Sequence, residues 1–227
     1  TIGGFTIGAT TISGGSALIL SSAGAGSITG GVFQTASGTG QRIVIDSTDG
    51  YGGSGHSLRY DFPVGAGGIG IGLRLPNSVT EYWTEIWAKF SPSFASGGNC
   101  GGNNPDYKFV FWALQPGEGR NEIKVGNYGD MRNLDTRYAS GPDTLRITTP
   151  NPINSGQWHR YRVHNKVGSN GAFDVEFWDG VNPPIVLKQQ NIPLGNFNYM
   201  NYMLLGANRN CNAAAPMWIK WGKITLY

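Results

Sequence analysis

Glycine and proline interrupt every apolar run of this chain, and this feature limits its fold more than any other. The 227 residues include 36 glycines and 12 prolines, together with 12% aromatic residues. The glycines follow no collagen-like period, and the aromatic content is too high for a disordered chain. No segment keeps a helical period, because Gly or Pro falls inside every candidate. The chain therefore predicts many short strands joined by tight turns.

Strands and turn signals alternate from Arg42 to the end of the sequence. The segment Glu81–Phe90 is the longest candidate, and residues 107–114 are almost continuously apolar, as in a central strand. A dozen short strands at this spacing predict an all-β sandwich or barrel. We expect strands at residues 42–46, 57–62, 70–75, 81–90, 107–114, 121–127, 144–148, 157–167, 173–178, 185–189, 202–207 and 216–227.

Residues 1–41 carry no charged side chain, and Arg42 is the first charged residue. A free linker would lack Ile and Leu at such regular positions, and a segment exposed on its own would carry charge. We expect an extended Gly-rich arm over residues 1–41, packed on its own domain or on neighbouring subunits of an assembly. A single domain is predicted over residues 42–227. Because the chain begins at Thr1, it is expected to be either a processed product or a piece of a longer one.

Charge is sparse and only mildly positive. Charged residues make up 14% of the chain, the formal net charge is +3, and the sequence pI is about 8.9. No run of Lys and Arg is present, so a nucleic-acid partner is not indicated. No apolar stretch is long enough to span a bilayer.

The two cysteines, Cys100 and Cys211, both lie in loops rich in Gly and Asn. Their matching settings predict one disulfide, which the chain-entropy model values at about 4–5 kcal/mol for so long a loop. Two unpaired thiols are the alternative. No His or third Cys lies beside either one, which disfavours a metal site. A disulfide would place the protein outside a reducing cytosol.

Several strands resemble those of the concanavalin-like lectin and glucanase superfamily. The resemblance is carried by Glu81–Phe90 running into Ser-Pro-Ser-Phe94, by Gly-Gln-Trp-His-Arg-Tyr-Arg-Val at 156–163, and by the closing Trp218-Ile-Lys-Trp-Gly-Lys-Ile-Thr-Leu226. It covers about residues 57–227 and implies an antiparallel jelly-roll β-sandwich. The same scaffold carries lectins, glucanases, polysaccharide lyases and virion surface modules, so it implies a fold rather than an activity.

The motifs that would select one activity depart from the family patterns. The acidic calcium ligand of many closing strands is replaced by Trp221-Gly222-Lys223. We identify none of the alginate-lyase motifs Arg-x-Glu-x-Arg, Gln-x-His and Tyr-Phe-Lys as intact, and the Glu-x-Asp-x-x-Glu of retaining glucanases is absent. The N-terminal arm is similar to bacteriophage structural proteins.

Alternate side chains of a strand share one face, which groups the polar residues. If the polar faces of several strands line one concave sheet, their indoles, carboxylates and cations form the kind of strip that binds sugars. The alternative is the ordinary wet face of an antiparallel sheet. The predicted glycan-binding residues are Trp83, Glu85, Trp87, Lys108, Trp112, Lys124 and Arg146.

For an enzyme, His164 with Arg162 is the best pairing of a base with a group that neutralises a uronate, and Glu85 is a third candidate that would need a partner from another strand. Glu81 and Glu85 are too far apart on one strand to serve as a hydrolase pair. Asp46 and Asp49, near a turn that Asp61 could also approach, are weak calcium candidates, and no other cofactor is indicated.

Two functions remain open from the sequence. The first is a non-catalytic structural or adhesion module on a virion or extracellular surface, bound to a cell-surface glycan and anchored by its arm. The second is a secreted polysaccharide lyase or glycoside hydrolase that acts on an acidic polysaccharide. The charge-free arm and the incomplete motifs favour the first, and the scaffold with its basic, Trp-bearing faces favours the second.

Overall fold

The structure is a computed structural model, and it describes residues 6–7, 12–13, 32–34, 42–51, 55–66, 68, 70–94, 106–117, 119–126, 131–139, 145–209 and 212–227. Within these ranges the chain forms strands and turns and contains no α-helix. In chain order the strands are β1 (Thr6–Ile7), β2 (Ile12–Ser13), β3 (Val32–Gln34), β4 (Arg42–Asp46), β5 (Ser57–Phe62), β6 (Ile71–Val79), β7 (Glu81–Phe90), β8 (Asp106–Gln115), β9 (Arg120–Gly126), β10 (Asn133–Arg137), β11 (Leu145–Thr148), β12 (Trp158–Lys166), β13 (Gly168–Trp178), β14 (Ile185–Leu187), β15 (Gln190–Leu194), β16 (Tyr199–Arg209) and β17 (Met217–Leu226).

Two antiparallel sheets face each other and form a sandwich. The six-stranded sheet has the order β11-β10-β9-β8-β16-β6. The nine-stranded sheet has the order β14-β13-β12-β7-β17-β5-β4-β3, with β15 paired to β13. The chain passes repeatedly from one sheet to the other, so that β16, late in the chain, lies between β8 and β6. The predicted all-β jelly-roll class is confirmed.

Aromatic side chains from both sheets fill the space between them. Phe109 of β8 stacks on Trp221 of β17 with ring centroids 4.8 Å apart, and it contacts Tyr161 of β12 at 4.7 Å. Trp112 of the same strand meets Phe173 of β13 at 5.8 Å. These rings are fully buried. Burial of such large apolar surfaces is the main contribution that holds the two sheets together.

Strand β7 shows how the sequence selects the two faces. Its even-numbered residues are buried against the six-stranded sheet, whereas Glu81, Trp83, Glu85 and Lys89 lie on the outer side. Trp87 shares this outer side but is covered by the ring of Tyr51. The alternation that the sequence predicts for this strand is present.

The described part of the arm adds to the nine-stranded sheet. Strand β3 pairs with β4 through Val32 opposite Val44 and Gln34 opposite Arg42, while β1 and β2 pair with each other. Contact of the arm with a neighbouring subunit stays a prediction. Within the described residues, no helix is long and apolar enough to cross a bilayer.

Candidate functional site

A cleft opens on the outer face of the six-stranded sheet, where neighbouring strands contribute to one row. Tyr202 of β16 lies opposite Ala113 of β8, and Ala113 lies opposite Arg120 of β9. Side chains paired across an antiparallel ladder lie on the same face. Because Ala113 is small, space remains between the phenol and the guanidinium group. The cavity has a volume of about 360 Å³ and is called the Tyr202 cleft; its walls are Phe111, Ala113, Gln115, Gly117, Gly119, Arg120 and Tyr202.

A second arginine occupies the same row on the other side of Tyr202. Strand β6 forms the edge of the sheet, and its exposed Arg74 is the register partner of Tyr202. The phenol is therefore flanked along the row by arginine positions on both sides. Such an arrangement favours a ligand with negative charge beside the tyrosine.

Arg120 is held in place by a buried carboxylate. Its Nε donates a 2.8 Å hydrogen bond to Oε2 of Glu122, and its guanidinium carbon lies 5.5 Å from the centre of the Phe111 ring. Glu122 is 0% exposed, and its Oε1 lies 3.4 Å from Nη1 of Arg137. A buried carboxylate needs such partners, since an isolated charge in the interior is costly. Within the described residues Arg120 uses Nε for this contact, so its two Nη groups can donate to a ligand.

The turn between β8 and β9 closes one end of the cleft. Gln115 donates from Nε2 to the Gly117 carbonyl at 3.2 Å. A Cβ added at Gly119 would lie 2.3 Å from Cζ of Phe197, so a larger residue here would have to displace that ring. The amide of Gln115 is a neutral donor and acceptor at the cleft wall.

Cations outnumber carboxylates along the outer face of the six-stranded sheet. Three acidic residues lie on its described strands, namely Asp106, Glu122 and Asp135, and Asp135 accepts a 2.7 Å hydrogen bond from Nε of Arg146. The surplus of positive charge favours an anionic ligand over this face. The cations in register on this face are Arg74, Lys108, Arg120, Lys124, Arg137 and Arg146.

The predicted catalytic residues meet on the opposite side of the molecule, the outer face of the nine-stranded sheet. Arg162 and His164 are neighbours on β12, and Nε of Arg162 lies 4.0 Å from Oε2 of Glu85. His164, however, has both ring nitrogens engaged, with Nε2 2.9 Å from Glu81 and Nδ1 3.1 Å from Asp174. No ring nitrogen is left to take a proton from a substrate.

Arg162 is also committed to its neighbours. Its Nε donates to the Tyr227 hydroxyl at 3.3 Å, and this bond with the nearby Glu176 and Glu85 carboxylates raises the pKa of the guanidinium group. Its guanidinium carbon lies 5.5 Å from the Trp83 ring, which in turn stacks on His164 at 4.6 Å. This cluster is a paired network in which the cations hold carboxylates of the same sheet.

The predicted glycan-binding residues do not form one strip. Trp83, Glu85 and Trp87 lie on the outer face of the nine-stranded sheet, whereas Lys108, Lys124 and Arg146 lie on the six-stranded sheet. The seventh, Trp112, is 0% exposed and belongs to the core, so the prediction that it shares a face with Lys108 is wrong.

Trp112 faces the core because the pairing of β8 with β9 contains a bulge. The register shifts between Lys108 and Val110, so that Phe109 and Val110 both face the core. One extra residue at a bulge reverses the alternation beyond it.

The weak calcium candidates hold a lysine. Nζ of Lys220 lies 2.8 Å from Oδ2 of Asp46 and 2.8 Å from Oδ2 of Asp49. The ammonium group thus takes the position between the carboxylates that a calcium ion would need, while Asp61 pairs with Arg59. Across the described ranges no group of three His, Cys, Asp or Glu side chains could hold a metal ion. Cys100 and Cys211 lie outside the described residues, and their disulfide stays a prediction.

Comparison with solved structures relates this architecture to polysaccharide lyases. The alginate lyase Aly36B superposes with a TM-score of 0.58 at 14% identity, covering 78% of this chain and 82% of that one. An alginate lyase from Aplysia kurodai superposes with a TM-score of 0.58 at 11% identity, covering 82% of this chain and 86% of that one. An endo-β-1,4-glucuronan lyase from the fungus Trichoderma reesei gives 0.55 at 13% identity over 82% and 87%.

The chain shares the jelly-roll fold of these lyases. At such identities the likeness concerns the fold alone. No protein-family model matches the sequence, and no curated protein matches it. The lyase part of the sequence resemblance is therefore supported at the level of the fold, and the virion-module part receives no support.

The sequence did contain signals for the Tyr202 cleft. Arg120-Asn121-Glu122-Ile123-Lys124 departs from the Arg-x-Glu-x-Arg pattern only in its last residue, and its alternate members face the cleft side of β9. The prediction that no alginate-lyase motif is intact is wrong for Gln-x-His, which Gln157-Trp158-His159 satisfies, but His159 is 1% exposed on the core face of the other sheet. No local pattern indicates Tyr202, whose role depends on which strands lie beside β16.

Proposed function

We propose that the protein is a polysaccharide lyase that cleaves an acidic, uronate-containing polysaccharide by β-elimination in the Tyr202 cleft. The observation that carries this proposal is the row in which the Tyr202 phenol lies between Arg74 and Arg120 across a small residue, Ala113. A lyase needs a base near a group that neutralises the uronate carboxylate. Tyrosine and arginine are suited to these two roles.

Arg120 would bind the uronate carboxylate through its Nη groups, with the Gln115 amide as a further donor. Neutralisation of the carboxylate makes the proton on C5 more acidic. The deprotonated Tyr202 oxygen takes this proton, the C4–O4 bond breaks, and a C4=C5 double bond forms. The phenol then returns the proton to the departing O4, which restores the starting state of Tyr202.

The relatives and the charge of the face support an acidic substrate. The structural relatives include proteins named as alginate and glucuronan lyases, and an Aly36B variant has been solved with an alginate tetrasaccharide. The surplus of cations on the six-stranded sheet favours the same class of polymer. Assignment to the nine-stranded face is less favoured, because the nitrogens of His164 already contact Glu81 and Asp174.

A binding module that holds the same polysaccharide without cleavage is the second candidate. It is favoured by one observation: the three histidines of the sequence are His56, His159 and His164, and none lies on a strand of the six-stranded sheet. Tyr202 would then be a ligand contact rather than a base. Cleavage assays separate the two candidates directly.

The test is an assay of the purified chain on alginate, glucuronan and heparinoids, with neutral glucans as the comparison. Product is followed by the ultraviolet absorbance of the new C4=C5 bond. Tyr202→Phe should lower kcat at least about a hundredfold, as loss of a general base does, while polysaccharide binding is retained. Tyr227→Phe, on the opposite sheet, is the matched control and should leave kcat unchanged.

Two outcomes would contradict the proposal. If the wild-type chain binds the acidic polymers but does not cleave them, the non-catalytic binding module becomes the favoured function. Activity that survives in Tyr202→Phe but is lost in His164→Gln would move the site to the nine-stranded sheet.

A further inference from the structure

Four aromatic rings surround a second cavity, on the outer face of the nine-stranded sheet. Tyr51 stacks on Trp87 with centroids 3.5 Å apart, and it meets Trp158 edge-on at 6.1 Å. Trp178 contacts Trp87 edge-on, with ring centroids 5.8 Å apart and an angle of 77° between the ring planes. The cavity has a volume of about 350 Å³ and is called the aromatic pocket; its walls include Tyr51, Trp87, Trp158, Trp178, Asp179 and Val181.

The strands fix the two outer indoles before any ligand arrives. Trp158 begins β12 and Trp178 ends β13. The Trp158 Nε1 donates a 3.2 Å hydrogen bond to Oδ1 of Asp49. A Cβ at Gly222 would lie 2.8 Å from Cβ of Tyr51 and 3.1 Å from the Trp158 ring, so the bare glycine of β17 is what lets both rings lie against the sheet. The pocket is therefore preorganised, which reduces the cost of binding.

Charges around the aromatic pocket are compensated within the protein. Asp49 is paired with Lys89 at 3.0 Å and Lys220 at 2.8 Å, and Arg160 is paired with Glu176. No surplus of positive charge like that of the six-stranded sheet is present among these described groups. The environment does not favour a carboxylated ligand.

Asp179 gives the wall of the pocket a permanent negative charge. Burial opposes ionisation of this carboxyl, but hydrogen bonds from Asn182, the Val181 amide and Asn151 outweigh it and lower its pKa to about 2. A uronate carboxylate would be repelled by this charge, which therefore favours a neutral ligand. Val181, 83% exposed, leaves an apolar side chain in solvent at the rim.

We propose that the aromatic pocket is a second carbohydrate site, which binds a pyranose unit of a neutral polysaccharide by stacking on Trp158 and Trp178. The ring C–H faces of a pyranose match the indole surfaces, and its hydroxyls can bond to the exposed side-chain amide of Gln157 in the pocket wall. The site lies on the opposite sheet from the Tyr202 cleft and does not depend on the lyase proposal. It would hold the protein on a neutral polymer while the cleft faces an acidic one.

Native-gel affinity electrophoresis with the full chain tests this site. Separate gels contain hydroxyethyl cellulose, mixed-linkage β-glucan, xylan, galactomannan or alginate. The wild type should be retarded by at least one neutral polymer, and Trp178→Ala should weaken that association about tenfold or more, as loss of an aromatic anchor does. Trp218→Ala, which removes an indole of the same face outside the pocket, and Tyr202→Phe should be retarded like the wild type.

The controls keep the test decisive. Thermal unfolding establishes that each variant is folded, and Trp178→Phe, which keeps a smaller ring in β13, replaces Trp178→Ala if the latter does not fold and should show an intermediate loss. Absence of retardation by every neutral polymer would overturn the proposal. So would equal retardation of the wild type and the folded Trp178 variant, or retardation only by alginate that the Trp178 variant loses. Each of these results leaves the cleavage assay of the Tyr202 cleft unaffected.

Discussion

Asn121 donates a 2.9 Å hydrogen bond from its side-chain amide to the side-chain carbonyl of Asn165, and this bond joins the two sheets inside the core. Asn121 lies on β9 of the six-stranded sheet and Asn165 on β12 of the nine-stranded sheet, and both are 0% exposed. The side-chain oxygen Oδ1 of Asn121 also accepts a 3.2 Å hydrogen bond from the backbone N–H of Ala139. The pair fixes the position of β9, which is the strand that carries Arg120.

Replacement of the two asparagines should therefore have unequal effects. Asn165→Ala leaves one buried donor without its acceptor, which costs about 1–3 kcal/mol. Asn121→Ala breaks the same bond and also strips the Ala139 amide of its acceptor, so its loss should be the larger one. Urea unfolding measures the loss of unfolding free energy in each variant. The two substitutions remove the same side-chain volume, so they can be compared directly. A larger loss for Asn165→Ala would show that the bond to Ala139 contributes nothing.

His159 predicts a pH dependence of stability. Burial on the core face of β12 lowers its pKa from 6.5 to about 4, against an opposing effect of the Asp179 carboxylate. Between these values the unfolded chain binds a proton that the folded chain does not, so stability falls as the pH is lowered from about 6.5 to about 4. The whole shift corresponds to about 3 kcal/mol.

The comparison is wild type against His159→Phe, whose ring can occupy the same space beside Phe177. Unfolding free energies are measured by urea titration at a series of pH values. Above pH 7 the free energies of the two proteins should change with pH in the same way. Below it the wild type should lose stability relative to the variant across the stated window. Parallel profiles of the two proteins would contradict this assignment.

Lys220→Met should remove the cation that Asp46 and Asp49 share. Lys220 is 6% exposed, and loss of one partner from a buried ion pair costs about 3 kcal/mol. Burial opposes ionisation of Asp46, but the bonds from Lys220 and Thr48 hold its pKa well below the ordinary value of 3.8. This carboxylate contributes stability above that ordinary value and loses it as the pH falls further.

The deficit of Lys220→Met should accordingly be full at pH 7 and shrink below about pH 4. Lys223→Met is the matched control, since Lys223 is an exposed lysine of the same strand, and should stay within about 0.5 kcal/mol of the wild type. Chemical denaturation at both pH values gives the comparison. A deficit independent of pH would mean that packing of the Lys220 stem, not its charge, is what the variant loses.

Strands with strict alternation and clear stop signals are predictable from the sequence. The predicted bounds of β4, β5 and β7 agree with the structure. Strand β6 instead continues through Pro76 to Val79, because it is an edge strand in which a missing backbone donor is tolerated. Strand β10, Asn-Leu-Asp-Thr-Arg, has a single apolar residue and gives no recognisable signal, yet it pairs on both sides.

The site depended on information that no local pattern contains. Arg120 and Tyr202 line one cleft because β16 pairs with β8, with an irregularity between Met200 and Tyr202 that sets the facing row. The bulge in β8 likewise decides that Trp112 is core while Lys108 is not. Arg162 and His164 share a strand face as alternation predicts, whereas the approach of Glu85 to Arg162 depends on the pairing of β7 with β12.

The unequal charge of the two outer faces bears on how the molecule approaches a polymer. Among the described strands, one face carries more cations than carboxylates, Arg74 among them, whereas cations on the other, such as Arg160, are matched by carboxylates such as Glu176. A polyanion therefore exerts a torque as well as an attraction, turning the six-stranded sheet toward itself before contact. Since added salt shortens the reach of this field to about 10 Å at 0.1 M, the fraction of collisions that arrive in the correct orientation should fall with ionic strength.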